Sequence, residues 1–154
     1  MATEKISVLY VDDEVHNLMA FKASYRKRYR VFTASSCKEG LQILEKENIP
    51  VILADQRMPK MSGVKFFEAV AQKYPDTMRI LITGYSDIEA VIEAVNTAGI
   101  FRYLTKPWKE EDLTEAIEKA YEVYCETRKR KELIENLKRT NEQLEFMLRE
   151  KLIS

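Results

Sequence analysis

The run Val51-Ile52-Leu53-Ala54-Asp55 is four apolar residues closed by a carboxylate. Gln56, Arg57, Met58 and Pro59 follow it, then Ser62-Gly63. A short apolar run bounded by turn residues reads as a fully buried strand, and the Pro and Gly after it read as a loop. Asp55 then stands at the carboxyl end of a strand, facing a crevice. In open α/β sheets that is where ligands bind.

The same alternation of strand and helix extends outward on both sides. Ile6 to Val11 is a strand, mostly apolar on both faces as a central parallel strand should be, and Asp12-Asp13-Glu14 ends it. Val15 to about Arg28 has helical spacing and a basic end, where cations suit a helix C-terminus. Val31 to Ala34 is a short strand, placed at an edge. Ser35 or Ser36 caps a helix running to about Lys46, with Leu41 and Leu44 inward. Ser62 begins a helix through Val64, Phe67, Val70 and Ala71 that stops before Pro75. Arg79 to Thr83 is the fourth strand, followed by Gly84. Ser86 to Glu89 has capping-box spacing and opens a helix that ends near Gly99. Ile100 to Leu104 is the fifth strand, closed by Thr105-Lys106-Pro107-Trp108, and a final helix starts near Glu110. Five strands alternating with helices imply right-handed crossovers and a parallel sheet covered on both sides. The expected fold is α/β, a flavodoxin-like doubly wound five-stranded sheet of order 2-1-3-4-5. Strands 1 and 3 are then neighbours, which brings Asp12 and Asp13 beside Asp55.

The bulk properties narrow the function. At 154 residues the chain is one domain, or one domain plus an appendage. Lys plus Arg is 25 and Asp plus Glu is 25, so the net charge is zero, which argues against nucleic-acid binding driven by bulk charge. Cys37 and Cys125 are far apart and in no metal spacing, so two reduced thiols are expected. No apolar run reaches transmembrane length and the N-terminus lacks a signal-peptide core, so no membrane contact and a cytoplasmic location are expected.

The strand ends carry an unequal set of groups. Strand 1 supplies Asp12 and Asp13, strand 3 Asp55, strand 4 the Thr83 hydroxyl and strand 5 the Lys106 ammonium. Three carboxylates close together repel, and a divalent cation removes that cost. Hard oxygen ligands with open water positions suit Mg²⁺. A metal, a lysine and a hydroxyl around one carboxylate make a phosphoryl-binding site, with Asp55 as the nucleophile that forms an aspartyl-phosphate. Any one of these residues alone is most simply a cap, a strand residue or a solvated charge. His16, the one histidine, has no triad partner near it and is taken as a surface residue.

Four motifs in order resemble one family. They are Val11-Asp12-Asp13-Glu14, Ala54-Asp55-Gln56-Arg57-Met58-Pro59, Ile82-Thr83-Gly84-Tyr85 and Tyr103-Leu104-Thr105-Lys106-Pro107-Trp108. Over roughly residues 5–125 the chain resembles the receiver domain of bacterial two-component response regulators. The resemblance implies that Asp55 takes a phosphoryl group from the phosphohistidine of a histidine kinase or phosphotransfer protein. It implies Mg²⁺ held by Asp13, Asp55 and the backbone carbonyl of Arg57, with Asp12 acting through water. It further implies that Lys106 pairs with Asp55 and then with the phosphate, and that Thr83 moves to the phosphate. Tyr103 then swings inward, the Lys106–Pro107 peptide is cis, and the face of helix 4, strand 5 and helix 5 changes population. Such a chain is not an enzyme, beyond assisting its own phosphotransfer and autodephosphorylation. Arg57 and Tyr85 each lie two residues past a key group and are bulky. They are expected to hinder attacking water and lengthen the life of the phosphorylated state.

The final helix continues without Gly or Pro from Glu110 to about Ile153. About 44 residues would span ~66 Å as one helix. Leu113, Ile117, Ala120 and Tyr124 serve the domain, placed at residues 1–125, and residues 126–154 form a helical extension. Ile134, Leu137, Asn141, Leu144 and Leu148 are spaced three, four, three and four, with Ile134, Asn141 and Leu148 at a and the two others at d. That seam favours a parallel two-stranded coiled coil, hence a homodimer, or a helical linker to an output domain. Phe146, Met147, Leu152 and Ile153 lie off it. Two other readings compete. A phosphorylation-independent dimeric adaptor is argued against by the complete acceptor set. A haloacid-dehalogenase-like phosphatase would place its nucleophile after the first strand in an Asp-x-Asp pattern, and Asp12-Asp13 is not that.

Overall fold

The structure, a computed structural model, describes residues 5–84 and 88–153. The strands are β1 (Ser7–Val11), β2 (Arg30–Ala34), β3 (Val51–Asp55), β4 (Met78–Thr83) and β5 (Ile100–Thr105). The helices are α1 (Val15–Tyr25), α2 (Cys37–Lys46), α3 (Gly63–Lys73), α4 (Ile88–Ala98) and α5 (Glu110–Ile153). The strands form one parallel sheet in the order β2-β1-β3-β4-β5, the flavodoxin-like topology.

Strand chemistry explains the layering. In β1 and β3 alternate side chains leave opposite faces of the sheet and both faces are covered. Val8, Tyr10, Val51, Leu53, Ile80 and Ile82 pack with Leu18 and Phe21 of α1 and Leu113, Ala116, Ile117 and Ala120 of α5. Leu9, Val11, Ile52, Ala54 and Leu81 pack on the other face with Leu44, Val64, Phe66, Phe67, Val70, Val91 and Ala98. Phe66, not assigned inward from the sequence, is fully buried beside Phe67.

The caps follow from local chemistry. Ser36, not Ser35, caps α2 by accepting from the Glu39 amide, while the Glu39 carboxylate accepts from the Ser35 amide and hydroxyl. Ser62 caps α3 by accepting from the Lys65 amide. The expected cap at Ser86 falls outside the described residues. Helix α1 stops at Tyr25, three residues short of the expected Arg28. There the amides of Arg28 and Tyr29 both turn back to the Tyr25 carbonyl, and Tyr29 is buried with its ring 6.0 Å from that of Tyr25. Burying that ring takes precedence over continuing an exposed basic turn.

The chain divides into two compact units, Met1–Tyr124 and Cys125–Ser154. In the first, α5 buries Leu113, Ala116, Ile117, Ala120 and Tyr124. In the second, every described residue from Arg128 to Ile153 is helical and exposed. Cys37 and Cys125 are free thiols, and no described helix is long and apolar enough to cross a membrane.

Candidate functional site

Parallel pairing sets the carboxyl ends of the strands nearly flush. Val11 aligns with Ala54, Asp55 with Ile82, and Thr83 with Thr105. Backbone hydrogen bonds continue past the strands. The Asp12 amide donates to Ala34, the Gln56 amide to Ile82 and the Lys106 amide to Thr83. Each chemical residue therefore leaves the sheet from a backbone fixed by its neighbour.

Asp12, Asp13 and Asp55 each offer a carboxylate oxygen, and these atoms lie within 4.8 Å of one another. Among the described residues this is the one acidic group of that kind. Asp12 is fully buried, Asp13 exposed, and Asp55 8% exposed. Lys106 Nζ lies 3.2 Å from Asp55 Oδ2. Burial pushes the Asp55 carboxyl up from its ordinary value. Lys106 pulls it down, the Asp12 charge pushes it up, and hydrogen bonds from Lys106 and the Arg57 backbone pull it down. The net direction is upward. A bound cation would relieve the repulsion between the Asp55 and Asp12 charges. Three hard oxygen donors, one of them open to solvent, fit Mg²⁺.

The other expected residues are placed as follows. Thr83 is fully buried and its hydroxyl donates to the Gly84 carbonyl at 3.3 Å. Tyr103 sits on β5 with its side chain exposed. Arg57 is exposed in the loop after β3. The Lys106–Pro107 peptide is cis. Tyr85 lies outside the described residues. His16 is exposed on α1. Ile134, Leu137, Asn141, Leu144 and Leu148 are exposed on α5.

Several contributors were not read from the sequence. Tyr10, in the middle of β1, donates its hydroxyl to Asp12 Oδ2 at 2.7 Å. Burial and that bond push its phenol far above the usual range, so it stays a donor. Asn17 donates to the same oxygen at 3.0 Å, and the Glu14 amide donates to Asp12 Oδ1 at 3.0 Å. Tyr10 carries little signal in the sequence, because a tyrosine in a buried strand reads as ordinary core. Gln56 Oε1 accepts from the Val64 amide, and its carbonyl accepts from the Gly63 amide, tying the start of α3 to the acceptor loop. Gly63 permits that approach. A Cβ there would stand 2.6 Å from the Asp55 carbonyl oxygen and 2.7 Å from Leu81 Cδ1.

This geometry agrees with what the chain is similar to. The model of the response regulator receiver domain matches residues 8–118. The hydrogenase transcriptional regulatory protein HoxA of Cupriavidus necator is 39% identical over 122 residues, covering 79% of this chain and 25% of that protein. A solved chain of adenylate cyclase from Rhodopirellula baltica superposes with a TM-score of 0.81 at 30% identity, covering 85% of this chain and 98% of that one. A response regulator receiver domain protein from Clostridium thermocellum superposes with a TM-score of 0.70 at 35% identity, covering 75% and 93%. The chain belongs to the response regulator receiver domain family, the phosphoacceptor modules of two-component signal transduction. Receiver domains are signalling domains that bind Mg²⁺ at an acidic pocket and partner with histidine kinases or phosphotransfer proteins. The chain spans about a quarter of the length of the curated relatives first matched, at 25% and 24%.

Proposed function

We propose that Asp55 accepts a phosphoryl group from the phosphohistidine of a histidine kinase or phosphotransfer protein. The observation that carries this reading is the carboxylate of Asp55 at a strand end, beside Asp12 and Asp13 and 3.2 Å from Lys106. Asp55 Oδ attacks phosphorus, the N–P bond breaks in a donor phosphohistidine whose other ring nitrogen carries a proton, and the imidazole leaves neutral. Lys106 follows the charge from the carboxylate to the phosphoryl oxygens. Asp13, Asp55 and the Arg57 carbonyl would hold Mg²⁺, with Asp12 acting through water, and the ion when bound would neutralise charge on the transferring oxygens. A cavity of about 450 Å³ lined by Asn17, Lys106, Pro107 and Trp108 leaves room beside the lysine for the donor ring. Exposed Val15 and Met19 on α1 offer the donor protein an apolar footing close to the site.

The output is a shift of the face made by α4, β5 and α5. Thr83 turns its hydroxyl from Gly84 to a phosphoryl oxygen, and Tyr103 moves inward from its exposed position. Arg57, exposed over the acceptor loop, obstructs the attacking water and prolongs the phosphorylated state. Arg57→Ala should release phosphate several times faster, and an unchanged dephosphorylation rate rejects that role. Residues 1–125 act as the receiver, and residues 126–154 pair with a second copy as a coiled coil. The similarity to transcriptional regulators such as HoxA supports a role in signalling to an output module.

Intact mass after incubation with acetyl phosphate and Mg²⁺ tests the central claim. One phosphate adduct is expected in the native chain and none in Asp55→Ala. A folded native chain without the adduct would demote Asp55 to a structural acid.

A further inference from the structure

We infer that Tyr10 is a positioning residue for the acidic group, its hydroxyl and the Asn17 amide together holding the Asp12 carboxylate in the orientation that cation binding requires. The inference rests on the Mg²⁺ reading given above and goes beyond it to a residue outside the usual acidic set.

Tyr10 lies in a central strand with Val8, Leu9 and Val11 around it, all fully buried. A hydroxyl in such a place must be hydrogen-bonded, and among the described residues it donates to Asp12, two residues on and therefore on the same side of the strand. The ring is held from α1. Phe21 meets it edge-on, with centroids 4.8 Å apart and planes at 61°. Asn17, one turn earlier on that helix, reaches the same carboxylate oxygen. Helix α1 thus supplies both the ring that fixes the tyrosine and the amide that shares its acceptor. Two side chains from two elements converge on Oδ2, and the Glu14 amide takes Oδ1. Asp12 is left with a single orientation, while Asp13 stays exposed and free to adjust. An aliphatic residue at position 10 would fill the core. The hydroxyl is needed only by the carboxylate.

Outer-shell groups around a metal typically change its affinity by about 10- to 100-fold when removed. Calorimetric titration with MgCl₂ measures this on the full chain without any phosphoryl donor. Tyr10→Phe should weaken Mg²⁺ binding by about 10-fold or more, and Asn17→Ala should weaken it in the same direction. Tyr29→Phe, which removes a hydroxyl from the same aromatic row, should bind like the native chain. Native-like affinity in a folded Tyr10→Phe overturns the inference. If Tyr10→Phe does not fold, Asn17→Ala decides, and an unchanged affinity there overturns the paired clamp. A native chain that binds no Mg²⁺ removes the cation reading itself, and the inference falls with it.

Discussion

Asp55 combines two opposed environments. Burial and the Asp12 charge favour its neutral form, and Lys106 favours its ionised form. With the upward influence prevailing, the native state holds the proton more tightly than the unfolded chain. Stability from this group is then full below the ordinary carboxylate value of 3.8 and is lost as pH rises through the native value. Metal-free Asp55→Asn should therefore melt higher than the native chain at neutral pH, with the gap closing as pH falls. Thermal unfolding in chelator across pH reads both signs, and equal melting temperatures at neutral pH would contradict the argument. That Asp12, Asp13, Asp55 and Lys106 come together was legible because each carries a charge that the end of a buried strand does not otherwise need. The hydrogen bonds that hold Asp12 were not, because a tyrosine in a strand reads as ordinary core.

At the scale of elements, the start of α3 sits hard against the end of β3. Gly63→Ala should cost about 1–3 kcal/mol, since backbone rather than a flexible side chain must yield. The same shift displaces Asp55, so phosphorylation by acetyl phosphate should slow as well. A native melting temperature would show that the contact relaxes freely. The lower end of the sheet has its own device. Arg79, read only as the first residue of a strand, is 7% exposed and donates to the carbonyls of Tyr74, Thr77, Ala98 and Gly99 and to the Thr77 hydroxyl. It answers the orphan carbonyls at the end of α4. Gly99, at φ +60, leaves it room, because a Cβ there would meet Arg79 Nη2 at 2.7 Å. Nothing in the spacing of residues marks such an arginine, since its partners are carbonyls that every residue carries. The end of α1 was misplaced for a related reason, as Tyr29 is drawn into the core by contacts far along the chain.

At the scale of the whole molecule, the exposed apolar residues from Leu133 to Ile153 form a helix without an internal core. An isolated helix of this kind is marginal in water and gains stability by packing against a partner. Leu137→Lys with Leu144→Lys places charge at both d positions of the seam and should convert a dimer to a monomer by light scattering. The acceptor reaction should survive, because Asp55 and Lys106 belong to the other unit. A native chain that is already monomeric rejects the coiled coil.

The alternation of strands and helices, the strand order and the chemical character of the strand ends were determined by the sequence alone. Hydrophobic periodicity and turn residues act locally, and right-handed crossovers leave few ways to join the pieces. Which groups hold those residues in place was decided only by tertiary structure. The hydroxyl of Tyr10, the amide of Asn17 and the guanidinium of Arg79 acquire their roles from partners that chain folding brings within hydrogen-bond reach. A hydrogen bond depends on distance and direction in space, and neither is written in the local pattern of the chain.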